Sequence, residues 1–187
     1  MVGSSAKPYP KEWERHDALR DGTPVFVRPL KPEDADLYPD FLAEVTAEDL
    51  RLRFFAPIKE LSAEFIGRLT HLDYAKAIAF IALDEASGRM LGVVRLHYDP
   101  DGKAGEYAVL VRSHLKSHGL GWLLMRRMIE YAEAQGLARV HGQVLAENTT
   151  MLAMCAEIGF TIADDPMERG VKVVTLGLAK TVSGPPR

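Results

Sequence analysis

The stretch from Val109 to Met125 constrains this chain more than any other. An apolar run, Val109-Leu110-Val111, passes into a basic, glycine-punctuated loop, Arg112-Ser113-His114-Leu115-Lys116-Ser117-His118-Gly119-Leu120-Gly121. An apolar helical pattern, Trp122-Leu123-Leu124-Met125, begins at once. A strand that feeds a helix through so short a loop needs that helix to pack back on the sheet, with the next strand parallel to the first. The loop also has a chemistry. A helix start leaves backbone N–H groups unpaired and carries the positive end of the helix dipole. Gly119 and Gly121 remove side chains that would keep an anion away. Lys116 adds a cation at the mouth. Lys116, Ser117, His118, Gly119, Leu120, Gly121 and Trp122 together read as a pyrophosphate cradle made mostly of main chain.

Spacing separates this cradle from two others. A nucleoside-triphosphate loop places Lys after its glycines, whereas Lys116 precedes Gly119. A dinucleotide fingerprint needs a third small residue at position 124, where Leu124 stands. The order here is basic-x-x-Gly-x-Gly.

The chain of 187 residues is 47% hydrophobic and 26% charged, which suits one soluble globular domain with a real core. Its net charge of −3 argues against a nucleic-acid partner. No apolar run reaches the ~18 residues of a membrane helix, and the start has no signal-peptide pattern. With Cys155 the one cysteine, no internal disulfide forms. These features make the cytoplasm the expected compartment, without membrane association. His114 and His118 lack cysteine or carboxylate companions close by, so no metal site is expected.

We expect residues 1–20 to form an N-terminal arm with a short helix at Trp13–Leu19. Residues 21–179 should form the domain, and 180–187, with Gly184-Pro185-Pro186, a flexible tail. Asp21-Gly22 reads as a turn and Val25–Leu30 as a strand. Pro32 opens a helix predicted to run to about Val45 on Leu37, Phe41 and Val45. Thr46-x-x-Asp49 and Ser62 are helix starts. Ala77–Leu83, Met90–Tyr98 and Gly105–Val111 form an antiparallel meander. The helix after the loop ends near Gln135, with Gly136 just beyond. Arg139–Leu145 is a strand, Thr149–Ile158 a helix stopped by Gly159, and Val171–Leu178 a last strand. The result is a mixed α/β sheet with helices on both faces, strands 105–111 and 139–145 being parallel neighbours.

The loop Lys116–Gly121 resembles the acyl-CoA pyrophosphate loop of the GNAT (Gcn5-related) N-acetyltransferases, usually R/Q-x-x-G-x-G/A. Arg28–Ala35 resembles that family's opening strand and helix, and Asn148 through Gly159-Phe160 its Asn-led helix. Asp49-Leu50-Arg51-Leu52-Arg53-Phe54-Phe55 and Leu72-Asp73-Tyr74 resemble the acetyltransferase domain of bacterial Pat-type protein-lysine acetyltransferases. The resemblance implies a GNAT fold: a mixed, mostly antiparallel sheet whose parallel pair splays to hold acyl-CoA. It implies acetyl-CoA as acyl donor and a lysine of a protein, such as an acyl-CoA synthetase, as acceptor. A small amine as acceptor, or a non-catalytic acyl-CoA-binding regulatory domain, are the competing readings.

Acyl transfer to an amine needs a base, because a lysine ammonium with a pKa near ~10.4 is not nucleophilic at neutral pH. Glu106, near the start of an otherwise apolar strand, matches the family's general base. It could equally be a solvated strand-end glutamate. The resemblance implies that a bulge frees the amides of Val109, Leu110 and Val111 for the thioester and pantetheine. Otherwise those amides pair within the sheet. Arg112, Lys116, His118, Arg126 and Arg127 are expected as a basic rim, or, for the two helix arginines, as a solvated face. Asn148 matches a position that contacts the CoA arm, or it caps a helix. Cys155 stands where many members carry a Tyr proton donor. As a residue on the apolar helix face with Met151, Leu152 and Ile158, it reads better as packing.

Overall fold

The structure, a computed structural model, describes residues 6–58 and 60–179. The tail expected at 180–187 lies outside the described residues. A short 3-10 turn at Lys11–Trp13 leads into β1 (Arg15–Ala18), which pairs with β2 (Pro24–Pro29). Three short helices follow: α1 (Tyr38–Ala43), α2 (Ala47–Phe54) and α3 (Ala63–Thr70). Next come β3 (Ala77–Asp84), β4 (Met90–Tyr98) and β5 (Ala104–Val111). The chain then crosses through α4 (Leu120–Ala134) to β6 (Arg139–Leu145), and ends with α5 (Thr149–Ile158), β7 (Thr161–Asp164) and β8 (Val171–Gly177). The strand order is β1-β2-β3-β4-β5-β6-β8-β7, with β5–β6 parallel and its other neighbours antiparallel.

Side-chain alternation divides the core between the two faces of the sheet. Ile78, Phe80, Val94 and Leu96 pack with Leu124, Met128 and Tyr131 of α4. Ala79, Ile81 and Val93 pack with Tyr38, Phe41 and Ile66 of the first three helices. Because both faces are covered, β3 and β4 read as continuous apolar runs rather than alternating ones.

Local chemistry sets the element ends. Thr46 Oγ1 accepts the Asp49 N–H at 3.1 Å and Ser62 Oγ accepts the Phe65 N–H at 3.1 Å, starting α2 and α3 as their sequences suggest. Gly136 takes φ +78° just beyond α4, as expected of a helix-ending glycine.

Three expectations need correction. The helix predicted at Trp13–Leu19 is absent. Arg15–Ala18 is instead an edge strand hairpinned to β2 around Asp21-Gly22, and Trp13 packs edge-on to Tyr131 at 5.1 Å. The helix predicted from Pro32 to Val45 is broken: Pro32–Leu37 is 3-10, and α-helix begins only at Tyr38. Pro39 has no N–H to give the carbonyl of residue 35, and its ring would clash with that carbonyl in a continuous helix. Strand β7 falls between the predicted helix Thr149–Ile158 and the predicted strand Val171–Leu178, where no strand was expected, and all four of its residues are exposed.

Candidate active site

The parallel pair β5–β6 holds together for three registered positions: Ala104↔Arg139, Gly105↔Val140 and Glu106↔His141. Beyond Glu106 the strands part. Tyr107 fills the fork. A Cβ placed on Gly142, one residue past the last pair, would lie 2.6 Å from Tyr107 Cε1, so the ring occupies the space that only a glycine leaves. The Tyr107 hydroxyl lies 3.1 Å from Cys155 Sγ, and burial pushes the phenol's pKa well up.

Past the fork the edge of β5 faces an open cleft of about 920 Å³. Its walls are α2, the start of α4, the end of β6 and one face of α5. The register of β5 against β4 runs without a shift from Gly92↔Val111 to Tyr98↔Gly105, so the expected bulge is absent. The splay frees the amides instead. The Arg112 N–H donates to Leu91 O at 3.0 Å, which fixes the alternation. The amide of Leu110 therefore faces β4, correcting the expectation that it is a donor. Those of Val109 and Val111 face the cleft.

At the far end of β5 the loop turns through two left-handed residues, Ser117 at φ +78° and Gly119 at φ +87°. A non-glycine residue in that region is strained, and such strain gathers at functional sites. Lys116, Ser117, Gly119, Gly121 and Trp122 line the cleft. His118 and Leu120 do not. The His118 ring lies 3.3 Å from Lys116 O, and Leu120 is buried in the core.

Lys116 is not a free cation. Its Nζ donates to Asp49 Oδ1 of α2 at 2.6 Å, and Ser113 Oγ donates to Asp49 Oδ2 at 2.5 Å. Burial would raise the Asp49 pKa, but these hydrogen bonds outweigh it and hold the carboxyl below its usual range. Arg51 of α2 reaches Glu147 at 2.8 Å, a second ion pair between α2 and the segment that leads into α5.

The expected basic rim is corrected at two places. Arg112 is buried at 1% exposure, donating to Asp40 Oδ2 at 2.7 Å, Glu44 Oε2 at 2.6 Å and Met90 O at 2.7 Å. Arg127 is buried against Asp17 and Glu130. Both arginines hold elements together. Arg126 is exposed and does not line the cleft. Sequence reasoning missed Arg20, which stands over the loop: a Cβ on Gly119 would meet its Cγ and Nε at 3.1 Å. Nothing local marked Arg20, because the hairpin that presents it was not read.

Asn148 caps α5, its Oδ1 accepting the Met151 N–H at 3.2 Å, and it also lines the cleft. Capping is borne out, and the side-chain amide nitrogen makes no hydrogen bond among the described residues. Cys155 is fully buried and lines no part of the cleft, and burial raises its pKa. Glu106 lines the cleft on the opposite face of β5 from Tyr107, beside Arg53 of α2 and His97 of β4. Burial and two nearby guanidiniums push the His97 pKa down.

This architecture, a splayed parallel pair with a main-chain cradle at one end, has known counterparts. A family model described as the acetyltransferase (GNAT) family matches residues 38–160, well over half of the chain. The chain belongs to the GNAT acetyltransferase family. This acetyltransferase is 30% identical over 152 residues to acetyltransferase PA5475 of Pseudomonas aeruginosa, covering 80% of this chain and 82% of that protein. The GNAT domain of S. lividans PAT superposes with a TM-score of 0.84 at 29% identity, covering 91% of this chain and all of that one. A ribosomal L7/L12 alpha-N-protein acetyltransferase, RimL, solved with coenzyme A, shares the fold at a TM-score of 0.70 and 13% identity, over 83% of this chain and 95% of that one. The acyl donor of the family is acetyl-CoA, and the cleft suits it. Residues of the loop and Arg20 line the cleft at one end, and the parted strands open onto it.

Proposed function

We propose that this acetyltransferase moves the acetyl group of acetyl-CoA to a lysine side chain of a partner protein, an acyl-CoA synthetase being the target class, with Glu106 as general base. One observation carries the reading: Glu106 occupies the last paired position before β5 and β6 part, and lines the cleft there. A carboxylate at the fork meets the acceptor amine where the thioester end of a bound donor would lie. Five residues separate it from the strand end at Val111, about 17 Å at ~3.3 Å per residue.

The chain's own groups then divide the work. The Gly119–Gly121 loop, Ser117 and Arg20 bind the phosphates. The Val109 and Val111 amides hold the arm and the developing oxyanion. Glu106 takes the proton from the ammonium, directly or through one water, and the freed amine attacks the thioester carbon. Carbon–sulfur cleavage releases coenzyme A as the thiolate, which takes up the second proton the nitrogen loses on becoming an amide. Close placement of the two reactants supplies much of the acceleration, up to ~10 kcal/mol. Cys155 has no part in the transfer, because the Tyr107 ring separates it from the cleft. The similarity of Asp49–Phe55 and Leu72–Tyr74 to Pat-type enzymes, with α2 forming a cleft wall, supports a protein acceptor docked over residues 47–74. A soluble, cytoplasmic enzyme fits this role. Among the described residues no helix is long and apolar enough to cross a membrane.

The test is mass spectrometry after incubation with acetyl-CoA and a purified acyl-CoA synthetase, with polyamines and amino acids in parallel. Acetyl-lysine should appear on the synthetase and vanish when its target lysine becomes Arg. Rapid acetylation of a small amine with no protein product would favour the competing reading.

A further inference from the structure

Among the described residues the buried and half-buried guanidiniums follow a rule with two exceptions, one of which lines the cleft. Arg28 pairs with Asp34, Arg112 with Asp40 and Glu44, and Arg127 with Asp17 and Glu130. A charge taken out of water is costly unless paired, which explains the rule. Arg95 breaks it. It is 4% exposed, and its only hydrogen-bond partner among the described residues is the Tyr38 hydroxyl, which accepts from Nη2 at 2.7 Å. Arg53 breaks it too. Its guanidinium lies 4.5 Å over the Phe54 ring and makes no hydrogen bond or ion pair among the described residues. The residues outside that set carry no Asp or Glu side chain. Burial and the like charge of Arg95 push the Arg53 pKa down to about 10, and the pull of Tyr38 and Glu106 offsets them only in part.

Arg53 lines the cleft with Glu106 and Ala108. Arg95 registers with Ala108, and Glu106 with His97, so the cations and the carboxylate share one face of the sheet. In the acetyl-transfer reading above, that face is the acceptor's. The phosphate loop begins beyond Val111, three residues past Ala108, about 10 Å further along the strand. Donor phosphates held there do not neutralise Arg53. A site that leaves a guanidinium unpaired beside its base is built for a ligand that brings the anion.

We propose that the acceptor is an amine with a carboxylate beside it, and that Arg53 pairs with that carboxylate while Glu106 faces the amine. In a protein acceptor the carboxylate is an acidic residue flanking the target lysine. In a small acceptor it is the α-carboxylate of an amino acid. Arg53 is then the residue that selects the acceptor, with Arg95 behind it strengthening the field. The inference rests on the acetyl-transfer reading above.

Matched acceptors test it. One pair is a lysine peptide flanked by Glu and the same peptide flanked by Gln. The other is L-lysine and cadaverine, which differ by one carboxylate. The unchanged protein should prefer the carboxylate member of the pair it uses by about tenfold or more in kcat/KM, mainly through KM. Which pair shows the effect identifies the source of the carboxylate. Arg53→Gln should bring the two members within about twofold, Arg53→Lys should restore part of the preference, and calorimetric affinity for acetyl-CoA should be unchanged in both variants. Equal use of both members by the unchanged protein overturns the proposal and leaves acetyl transfer standing. So does an equal loss on both members in Arg53→Gln. If nothing is acetylated, the transfer reading itself fails. Titration of the coenzyme A-loaded protein with the Nε-acetylated members of both pairs still decides the carboxylate: tighter binding of the carboxylate member of either pair, lost in Arg53→Gln, supports it, and equal or absent binding in both pairs overturns it.

Discussion

Gly119 and Gly121 look equivalent in sequence and are not. A side chain at Gly119 meets a left-handed backbone and the Arg20 side chain at 3.1 Å, so any substitution there is strained. A Cβ at Gly121 meets only the Met154 side chain, Sδ at 3.5 Å and Cε at 3.8 Å, ordinary contact. Gly121→Glu is therefore the clean probe. It should fold, place a carboxylate at the phosphate site and abolish acetyl-CoA binding in calorimetry. Undiminished affinity would sink the cradle. Cys155 teaches the opposite lesson. Cys155→Ala should keep activity within about threefold and cost about 1 kcal/mol in urea unfolding through lost packing. A hundredfold fall in turnover with unchanged stability would make the thiol catalytic. At this scale the sequence showed what is local. Glu106 and the loop glycines stand out by position along the chain. Arg112 and Arg127 were misread because their partners lie 68 and 110 residues away. Arg53 lies in a motif that was read, yet nothing local says that it lacks a partner.

Elements were legible where burial is two-sided. Met90–Tyr98, Arg139–Leu145 and Thr149–Ile158 match their predicted ends, because long apolar runs and turn or cap residues bound them. Strands β1 and β7 were not, since both are short edge strands with mostly exposed residues whose pairing comes from a neighbour rather than from their own pattern. The splay itself was foreseen only through family resemblance. Its physical device, the Tyr107 ring against Gly142, needs coordinates to see. Gly142→Ala should therefore push the ring out of the fork. A loss of about 1–3 kcal/mol in stability is expected, with weaker acetyl-CoA binding. A variant as stable as its parent, with the same affinity, would show that the ring does not set the fork.

Across the whole molecule, α1 is held to the sheet by the cluster of Arg112, Arg89, Asp40 and Glu44. Hydrogen bonds from Arg89 and Arg112 hold the Asp40 carboxyl well below the usual carboxylate range, and Arg112 lowers that of Glu44. A depressed carboxylate pKa contributes stability that is present above the unfolded value and lost as pH falls through the folded one. Asp40→Asn should lower the melting temperature at pH 7, and the gap to the unchanged protein should close as pH falls below about 4. A gap constant from neutral to strongly acidic pH would remove Asp40 from the acid response. The central claim is that acetyl transfer happens at the fork, where β5 and β6 part beside Glu106. Its most direct measurement is Glu106→Gln, with turnover and acetyl-CoA affinity read on the same preparation. Turnover at neutral pH should fall by roughly 10²–10⁴-fold while calorimetric affinity stays within about twofold. A loss below about threefold, or an equal loss of binding, would contradict the account.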